Sequence, residues 1–518
     1  MWTHSECASA VLLGCLGTIV MLASCSGDAP TGVEEDRVSA DRVSEGRISV
    51  CHRSRSTGVI TDISQSALTS HLRHGDYVTN LVVSHKSDQP DDGVHFRRIG
   101  DALAAARTGR LARGELRSAA CRITITIAAG RFRGTDLAST HRSLERFPMV
   151  VDVPDITLRG ALVMRLDARG RATAAGVGPF ATTLSPVEPL SFPDGISTPI
   201  IIANAHPGGS AGNGLRVEGF VFQSGNDGVT ATGGQAVFAM RAKGLVIRGN
   251  RVEAGFSESF DLRETSAIVD QNHLSGPGGS CDICLAGPGV YRVTGNRLVG
   301  GGIPGILTVP AMNLAIPSAV EPSDLPFAST LSAEISNNEV RDHRRVPVGV
   351  GIRVGAVGPG APDVHGKSHV TIRDNLLVNN NFAIIIEAAF PMPETELKSD
   401  VDVTLGGNVM RRSCQANFLV ALTRHTAALG LTDFPYLQNS TFRLALGGDL
   451  RWRDAWFGHA AGFGNRLVVN GRPIANGTRT FYDPDTCPGL VQQPGRLREH
   501  TAGEWTADRK QNAPVLRP

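Results

Sequence analysis

The sequence has little charge, few aromatic residues and no large excess of either charge. Of its 518 residues, 19% are charged and 5% are aromatic, and the formal net charge is +2. A chain this close to neutrality lacks the strongly basic surface that binds nucleic acid electrostatically, so we do not expect a nucleic-acid partner. Glycine and proline number 59 and 29. Together they stay below the roughly 25–30% of residues that marks low-complexity disorder.

What the sequence does contain is aliphatic and rich in glycine. Hydrophobic residues make up 41% of the chain, which is enough to build a core. The length allows several domains, but a repeat fold of this size can be one unit. This composition predicts a β-rich protein with many turns.

The first 25 residues are predicted to be an export signal. Residues 10–23 form an uncharged, mostly apolar run. This run is shorter than the roughly 20 residues of a membrane-spanning helix and has the length of a secretory signal core. It leads into Leu22-Ala23-Ser24-Cys25, which resembles the lipobox of bacterial lipoproteins. The resemblance implies lipidation of Cys25, although residues 1–6 lack the usual positive charge; the alternative is an ordinary signal peptide.

Residues 26–50 are predicted to be a flexible tether. Residues 36–39 and 41–44 are near copies of each other, and the segment is polar. Such a stretch cannot bury enough apolar area to fold by itself. Ser26 follows the lipidated cysteine, which resembles the outer-membrane pattern. We therefore expect an exported outer-membrane lipoprotein, facing the periplasm or the cell surface, whose contact with the membrane is the lipid anchor alone.

Nine cysteines fit an exported protein. Six remain after the signal and the lipidated position, which allows up to three disulfides in an oxidising compartment. Cys281 and Cys284 have the spacing of a redox or metal motif. On a strand, however, residues three apart are separated by about 10 Å, too far for a disulfide. Buried thiols, or thiols paired with other cysteines, are therefore the favoured interpretation for these two.

Residues 51–90 are predicted to be a small Cys/His-rich segment. Residues 51–52 read Cys-His and residues 66–77 read Ser-Ala-Leu-Thr-Ser-His-Leu-Arg-His-Gly-Asp-Tyr, a pattern that resembles a short segment recurring in exported bacterial proteins. Cys51, His52, His71 and His74 supply the ligand types of a zinc site, and Asp76 adds a carboxylate. His71 and His74 would share one helix face. The competing interpretations are that the histidines hydrogen-bond within a compact motif, and that Cys51 pairs with a distant cysteine.

A helix followed by several strands is predicted at the start of the main body. Four apolar residues recur at helical spacing over residues 95–107: Phe96, Ile99, Leu103 and Ala106. Residues 123–127 then alternate strictly, and further strands are predicted at 150–151 and 156–160. A helix followed by strands ending in Ala-Gly-x-Phe and Leu-x-Gly resembles the N-terminal cap and first coils of pectin-lyase-like right-handed β-helices.

A repeat of the form apolar-x-x-Asn-x-apolar then recurs six times. Its asparagines are Asn250, Asn272, Asn296, Asn338, Asn375 and Asn408. Repeats at intervals of about 20–40 residues indicate a solenoid. Asparagines at one turn of each coil can stack as a hydrogen-bonded ladder. The predicted fold is an all-β, right-handed, single-stranded parallel β-helix over residues 95–470 with an N-terminal capping helix, followed by a C-terminal extension and disordered tail over 471–518.

Four charged residues are predicted to share an outward strand face: Asp261, Asp282, Arg353 and Glu387. Neighbouring strands lie about 4.8 Å apart, so Asp261 and Asp282 on successive coils could share a Ca²⁺ ion. The resemblance to β-helix lyases implies that Arg353 could act as a base. Glu387, one coil beyond, could pair with Arg353. The competing interpretation is a set of cross-strand ion pairs.

The catalytic motifs of the resembled enzymes are absent. The sequence has no paired polygalacturonase-like Asp motifs with Gly-His-Gly and no pectate-lyase R-x-P-x-x-R motif, because Arg345-Val346-Pro347 lacks the second arginine. This absence favours a surface-anchored β-helix that binds or scaffolds glycan or protein partners. The alternative is a lyase, epimerase or hydrolase acting on acidic polysaccharide, and a third hypothesis is an accessory protein for periplasmic metalloenzymes.

Overall fold

The structure is a computed structural model. In it the chain coils repeatedly through three long, mainly parallel sheets. The structure describes residues 47–54, 57–85, 92–114, 120–135, 145–173, 180–186, 199–204, 212–224, 233–275, 281–300, 304–310, 328–344, 349–357, 365–389, 399–413, 416–421, 441–446, 455–458 and 466–473. The predicted signal, Cys25 and almost all of the tether lie outside these residues. The described residues from Ile48 onward belong to one compact unit.

Strands are numbered along the chain. A small sheet in the order β2-β1-β3 contains β1 (Arg47–Ser54), β2 (Thr57–Ser64) and β3 (Tyr77–Val78). Sheet 1 contains β4 (Asn80–Val83), β5 (His95–Phe96), β6 (Ile123–Ile127), β10 (Ile156–Arg159), β13 (Arg216–Glu218), β16 (Leu245–Arg248), β19 (Ser266–Asp270), β22 (Gly289–Thr294), β25 (Ala328–Ser336), β28 (His365–Arg373), β31 (Ser399–Gly406), β34 (Thr441–Leu446), β36 (Arg466–Val469) and β37 (Arg472–Pro473).

Sheets 2 and 3 complete each coil. Sheet 2 contains β7 (Gly130–Thr135), β8 (Glu145–Arg146), β11 (Thr182–Pro186), β14 (Phe220–Phe222), β17 (Arg251–Val252), β20 (His273–Ser275), β23 (Arg297–Val299), β26 (Glu339–Arg341), β29 (Leu376–Val378) and β32 (Val409–Arg411). Sheet 3 contains β9 (Met149–Val151), β12 (Ile201–Asn204), β15 (Gly233–Met240), β18 (Phe256–Arg263), β21 (Cys281–Ala286), β24 (Pro304–Val309), β27 (Val350–Val357), β30 (Phe382–Ala389), β33 (Ala416–Ala421) and β35 (Ala455–Gly458).

The sheet order confirms the predicted fold. In the central coils the chain visits sheets 1, 2 and 3 in turn and then returns to sheet 1, one strand further along. The β16, β17 and β18 coil, for example, is followed by β19, β20 and β21, and each strand pairs in parallel with its counterpart. Parallel crossovers of this kind are right-handed. The protein is a right-handed parallel β-helix.

The repeat pattern places its apolar residues inside the coil. Ile247 on sheet 1 and Val252 on sheet 2 are both buried in the core, and Asn250 lies at the corner between them. The same arrangement recurs on the next coil with Val269, Asn272 and Leu274. Burial of this aliphatic column is the main favourable term for such a fold.

The predicted asparagine ladder is present. Asn272 Nδ2 donates to Asn296 Oδ1 at 2.9 Å, and Asn296 Nδ2 donates to Asn338 Oδ1 at 2.9 Å. The same Oδ1 atoms also accept backbone N–H groups of the preceding coil. The ladder therefore satisfies buried polar groups at a corner where the strand hydrogen bonding stops.

The first coil contains a helix that begins later than its sequence pattern predicts. Helix α1 spans Gln65–Arg73 and α2 spans Ile99–Ala112, whereas the pattern predicted a helix from residue 95. His95 and Phe96 instead form β5, and the Glu145 carboxylate accepts hydrogen bonds from the Ile99 and Gly100 backbone N–H groups. The capping role of α2 stays a prediction. Strand β4 of sheet 1 lies within the predicted 51–90 segment.

The structure corrects the interpretation of Cys281 and Cys284. These residues form a disulfide with a Cα–Cα distance of 5.8 Å. The prediction assumed a fully extended strand, but the chain is contracted over these four residues. Cys414 and Cys487 lie outside the described residues. Among the helices of the described part, none is long and apolar enough to cross a membrane.

Candidate functional site

The register of sheet 3 separates the residues predicted to form one stack. Asp261 lies opposite Cys284, and the same column continues through Leu307 to Arg353. Asp282 is two residues before Cys284, so it is not directly opposite Asp261. The predicted adjacency of Asp261 and Asp282 is therefore wrong. The physical reason is that the corner between sheets 2 and 3 varies in length, so counting from each asparagine does not give the register.

The predicted pairing of Glu387 with Arg353 is also displaced. Arg353 lies opposite Ile385, whereas Glu387 lies opposite Gly355 on one side and Ala421 on the other. Only the backbone of Glu387 belongs to the described residues. Asp261 and Arg353 share a column but are three strands apart, about 14 Å at the usual strand spacing.

The charged side chains of this face are buried. The exposed fraction is 1% for Asp261, 3% for Asp282 and 4% for Arg353. Within the described part of the chain, neither Asp261 nor Asp282 belongs to a group of three or more metal-ligating side chains. These side chains are buried and do not form the open calcium-binding stack that the sequence pattern predicted.

Asp261 has an internal cationic partner. Arg263 Nη2 donates to Asp261 Oδ2 at 2.7 Å, and both side chains are buried. Burial alone would lower the pKa of Arg263, but the charge and hydrogen bonds of Asp261 outweigh burial and raise it. The pairing of the two side chains offsets the cost of burying them away from water.

Glu258 lies near this pair in a different environment. Gln235 Nε2 and Ser257 Oγ donate to Glu258 Oε2 at 3.0 and 2.5 Å. Burial raises the pKa of Glu258, and the negative charge of Asp261 raises it further. A buried carboxyl group with a raised pKa beside an ion-paired carboxylate is an arrangement that acid–base catalysis can use. Glu258 could not be recognised from the sequence, because no known motif contains it.

Asp282 has a buried histidine neighbour. His343 Nε2 lies 3.6 Å from Asp282 Oδ2, with side-chain exposures of 0% and 4%. His343 lies at the corner between sheets 2 and 3, where its backbone N–H donates to Asn380 Oδ1 at 3.0 Å. Asp282 therefore belongs to a corner contact inside the fold.

A second cluster lies in the Cys/His-rich segment. Cys51 forms a disulfide with Cys121. The prediction of Cys51 as a zinc ligand is therefore wrong, because its sulfur is bonded to another sulfur and is not a thiolate. The competing interpretation, pairing with a distant cysteine, is the one that the structure shows.

His52 and His71 converge on the carboxylate of Asp76. His52 Nδ1 and His71 Nδ1 both donate to Asp76 Oδ2, at 2.9 and 2.7 Å. Burial alone would raise the pKa of Asp76, but the hydrogen bonds from both histidines and the charge of Arg113 hold it below its usual range. His74, at the C-cap of α1, is exposed and is not part of this group.

A third feature lies on the outward face of sheet 1. Four residues on successive strands form one column in the register: Arg216, Val246, Ile268 and Arg292. We call these residues the arginine column. Both arginines are exposed, and neither has an ion-pair partner among the described residues. Ile268 is 37% exposed, and Val290, two residues before Arg292 on the same strand, is 63% exposed.

The neighbouring outward column is paired internally. Arg248 Nε donates to Asp270 Oδ2 at 2.8 Å, and Arg159 Nη2 lies 3.5 Å from Glu218 Oε2. The two arginines of the arginine column form no ion pair among the described residues. Glu334 lies opposite Arg292 on the next strand but is itself paired with Arg373, and the charge of Arg292 also reaches Asp270. The arginine column could not be recognised from the sequence, because its members are dispersed over four successive coils.

No protein-family model and no curated protein sequence matches the chain. Among solved structures, the chain is similar to the A-module of the mannuronan C-5 epimerase AlgE4 of Azotobacter vinelandii, with 10% identity, a TM-score of 0.36, and coverage of 71% of this chain and 90% of that one. It is also similar to the catalytic unit of a thermostable GH87 alpha-1,3-glucanase from Streptomyces thermodiastaticus strain HF3-3, with 14% identity, a TM-score of 0.39, and coverage of 79% and 71%. At these values the likenesses carry no argument about activity, and the fold assignment rests on the sheets themselves.

Proposed function

We propose that this protein is a lipid-anchored β-helix that binds acidic polysaccharide along the outward face of sheet 1. The observation that carries the proposal is the arginine column, which places two exposed cations at the ends of an apolar stretch. Arg216 and Arg292 are three strands apart, about 14 Å. A uronate chain lying along the solenoid axis could give its carboxylates to the arginines and rest its apolar ring faces on Val246 and Ile268.

The chemistry of arginine suits such a ligand. The guanidinium group presents a planar set of donors that matches a carboxylate in two-point contact. Each contact at an exposed position is weak and sensitive to salt. A polymer compensates because many repeats bind at once, which raises the overall affinity. Binding in place of catalysis also agrees with the burial of the charged residues on sheet 3.

The anchor completes the proposed function. Export, lipidation of Cys25 and a tether over residues 26–50 would hold the β-helix near the outer membrane, either in the periplasm or at the cell surface. In this position the protein would contact the membrane through its lipid alone and meet cell-surface or matrix polysaccharide.

Electrophoresis of the full-length protein through gels that contain polysaccharide tests the proposal. We expect a polyuronate to retard the protein and a neutral glucan to leave its mobility unchanged, and we expect added salt to remove the retardation. Equal retardation by both polymers, or none by either, would contradict the proposal.

Catalysis on acidic polysaccharide is the second candidate function. Its specific support is the proximity of Glu258, whose pKa is raised, to the ion-paired Asp261. Incubation with polyuronates would reveal a lyase by the ultraviolet absorbance of unsaturated products, and an epimerase by a changed uronate composition. Glu258→Gln should abolish either activity while leaving gel retardation unchanged. Absence of turnover on every acidic polymer that binds would reject this candidate.

A further inference from the structure

Three side chains that can bind a metal ion, His52, His71 and Asp76, lie together in the Cys/His-rich segment. The Nδ1 atoms of His52 and His71 lie 2.9 and 2.7 Å from the same oxygen of Asp76. The potential ligand atoms of the three residues all lie within 4.8 Å of one another. Two imidazoles and one carboxylate are the protein ligands of open, three-ligand zinc sites.

The backbone holds these residues in place. Strand β1 pairs antiparallel with β3, with Cys51 opposite Tyr77, so the next position brings His52 beside Asp76. His71 lies in the last turn of α1, and the Asp76 backbone N–H donates to the His71 carbonyl oxygen at 3.1 Å. Between them Gly75 has a φ of 81°, a conformation that glycine adopts without strain. The end of helix α1 and the β1–β3 strand pair therefore position the three side chains.

Two further contacts fix the carboxylate and its strand. Arg113 Nη2 donates to Asp76 Oδ1 at 3.2 Å, which leaves Oδ2 directed at the histidines. The Cys51–Cys121 disulfide ties the residue before His52 to the chain that leads into β6. Such outer contacts orient the ligands of metal sites. The Arg113 charge opposes a cation, so the site is expected to favour a metal that also gains from nitrogen ligands.

We infer that His52, His71 and Asp76 form a binding site for a divalent metal ion of the zinc class. On binding, each imidazole would carry its one remaining proton on Nε2, an imidazolium would release its second proton to solvent, and the metal would bind both Nδ1 atoms and Asp76 Oδ2. His52 and His71 side chains are 49% and 29% exposed, so the fourth position faces solvent and can take water or a ligand atom of a partner. This inference is independent of the proposed polysaccharide binding.

Titration of metal-free, full-length protein with Zn²⁺ tests the inference, with Co²⁺ absorbance as a second readout. We expect one Zn²⁺ per chain, with weaker binding at acidic pH because protons compete for the imidazoles. His71→Ala should weaken binding by about 100-fold or more, since loss of an outer contact alone costs 10–100-fold. His74→Ala, an exposed histidine three residues away, is the matched control and should bind as wild type does.

Circular dichroism would show whether each variant is folded. If His71→Ala is unfolded, His52→Ala carries the comparison, because this side chain is the more exposed of the two. Folded wild type that binds no Zn²⁺ would show that the cluster is a hydrogen-bonded motif only, and would overturn the inference. Equal affinities of the folded His52→Ala variant and wild type would overturn it as well.

Discussion

Asp261 and Arg263, two residues apart on β18, form a buried two-point ion pair. Arg263 Nη2 donates to Asp261 Oδ2 at 2.7 Å, and Arg263 Nε donates to Asp261 Oδ1 at 3.1 Å. This pair occupies the face that sequence analysis assigned to a ligand. Its geometry shows that the charge of Asp261 is satisfied within the protein.

Asp261→Ala should destabilise the protein strongly. Removing one partner of a buried ion pair typically costs about 3–5 kcal/mol, because the other charge stays buried without it. Urea unfolding measures this cost. The control is Asp402→Ala, which removes a half-exposed partner of the exposed Arg443 and should cost under about 1 kcal/mol. Similar costs for the two variants would contradict the structural role of the Asp261 pair.

Asn296→Ala should destabilise the β-helix more than the same change at the end of the ladder. Asn296 bonds to Asn272 on one side and Asn338 on the other, so its loss leaves buried groups unsatisfied and should cost about 3 kcal/mol. Asn408 has one ladder neighbour, Asn375, and is only half-buried. Unfolding free energies of the two variants give the comparison; an equal or larger cost at Asn408 would contradict a continuous ladder.

Glu145 should make the stability depend on pH. Burial raises its pKa from 4.5 to about 7, so the folded protein holds the proton more tightly than the unfolded chain does. Its contribution is therefore fully present below pH 4.5 and is lost as the pH rises through about 7, a change of roughly 3 kcal/mol. Glu145→Gln should flatten the pH dependence of the unfolding free energy over this range. Parallel curves for the variant and wild type would contradict the assignment.

Cys25→Ser should release the protein from the membrane fraction. The lipid is proposed to be the only membrane contact, so loss of the modified thiol removes the anchor. Metabolic lipid labelling and fractionation measure the effect. Wild-type labelling of the variant would reject the lipoprotein prediction.

The sequence predicts the fold because each repeat marks both its inward strands and the corner between them. Ile247 and Val252 mark two inward strands, and Asn250 marks the corner between them, so each coil carries its own register for sheets 1 and 2. The register of sheet 3 could not be predicted in the same way. Its distance from the ladder changes from coil to coil: Phe260 lies opposite Ile283, yet the two follow their asparagines by different numbers of residues.

The candidate sites depend on contacts that a single sequence does not encode locally. The alternation that directs Asp261 away from the core does not reveal that this face is buried, because burial is a tertiary property. The convergence of His52 on Asp76 requires the antiparallel pairing of β1 with β3. The Cys51–Cys121 pairing joins residues 70 positions apart, and cysteine spacing alone does not fix disulfide connectivity.

Calorimetric titration of the full-length protein with an oligouronate tests the central claim most directly. The double variant Arg216→Gln/Arg292→Gln removes both cations of the arginine column while keeping polar, hydrogen-bonding side chains. We expect it to bind at least about tenfold more weakly than wild type, since one charge-assisted hydrogen bond is worth about 1.5–3 kcal/mol. Arg443→Gln, an exposed arginine of the same face that pairs with Asp402, should bind as wild type does. Unchanged affinity in the folded double variant would contradict polysaccharide binding by the arginine column.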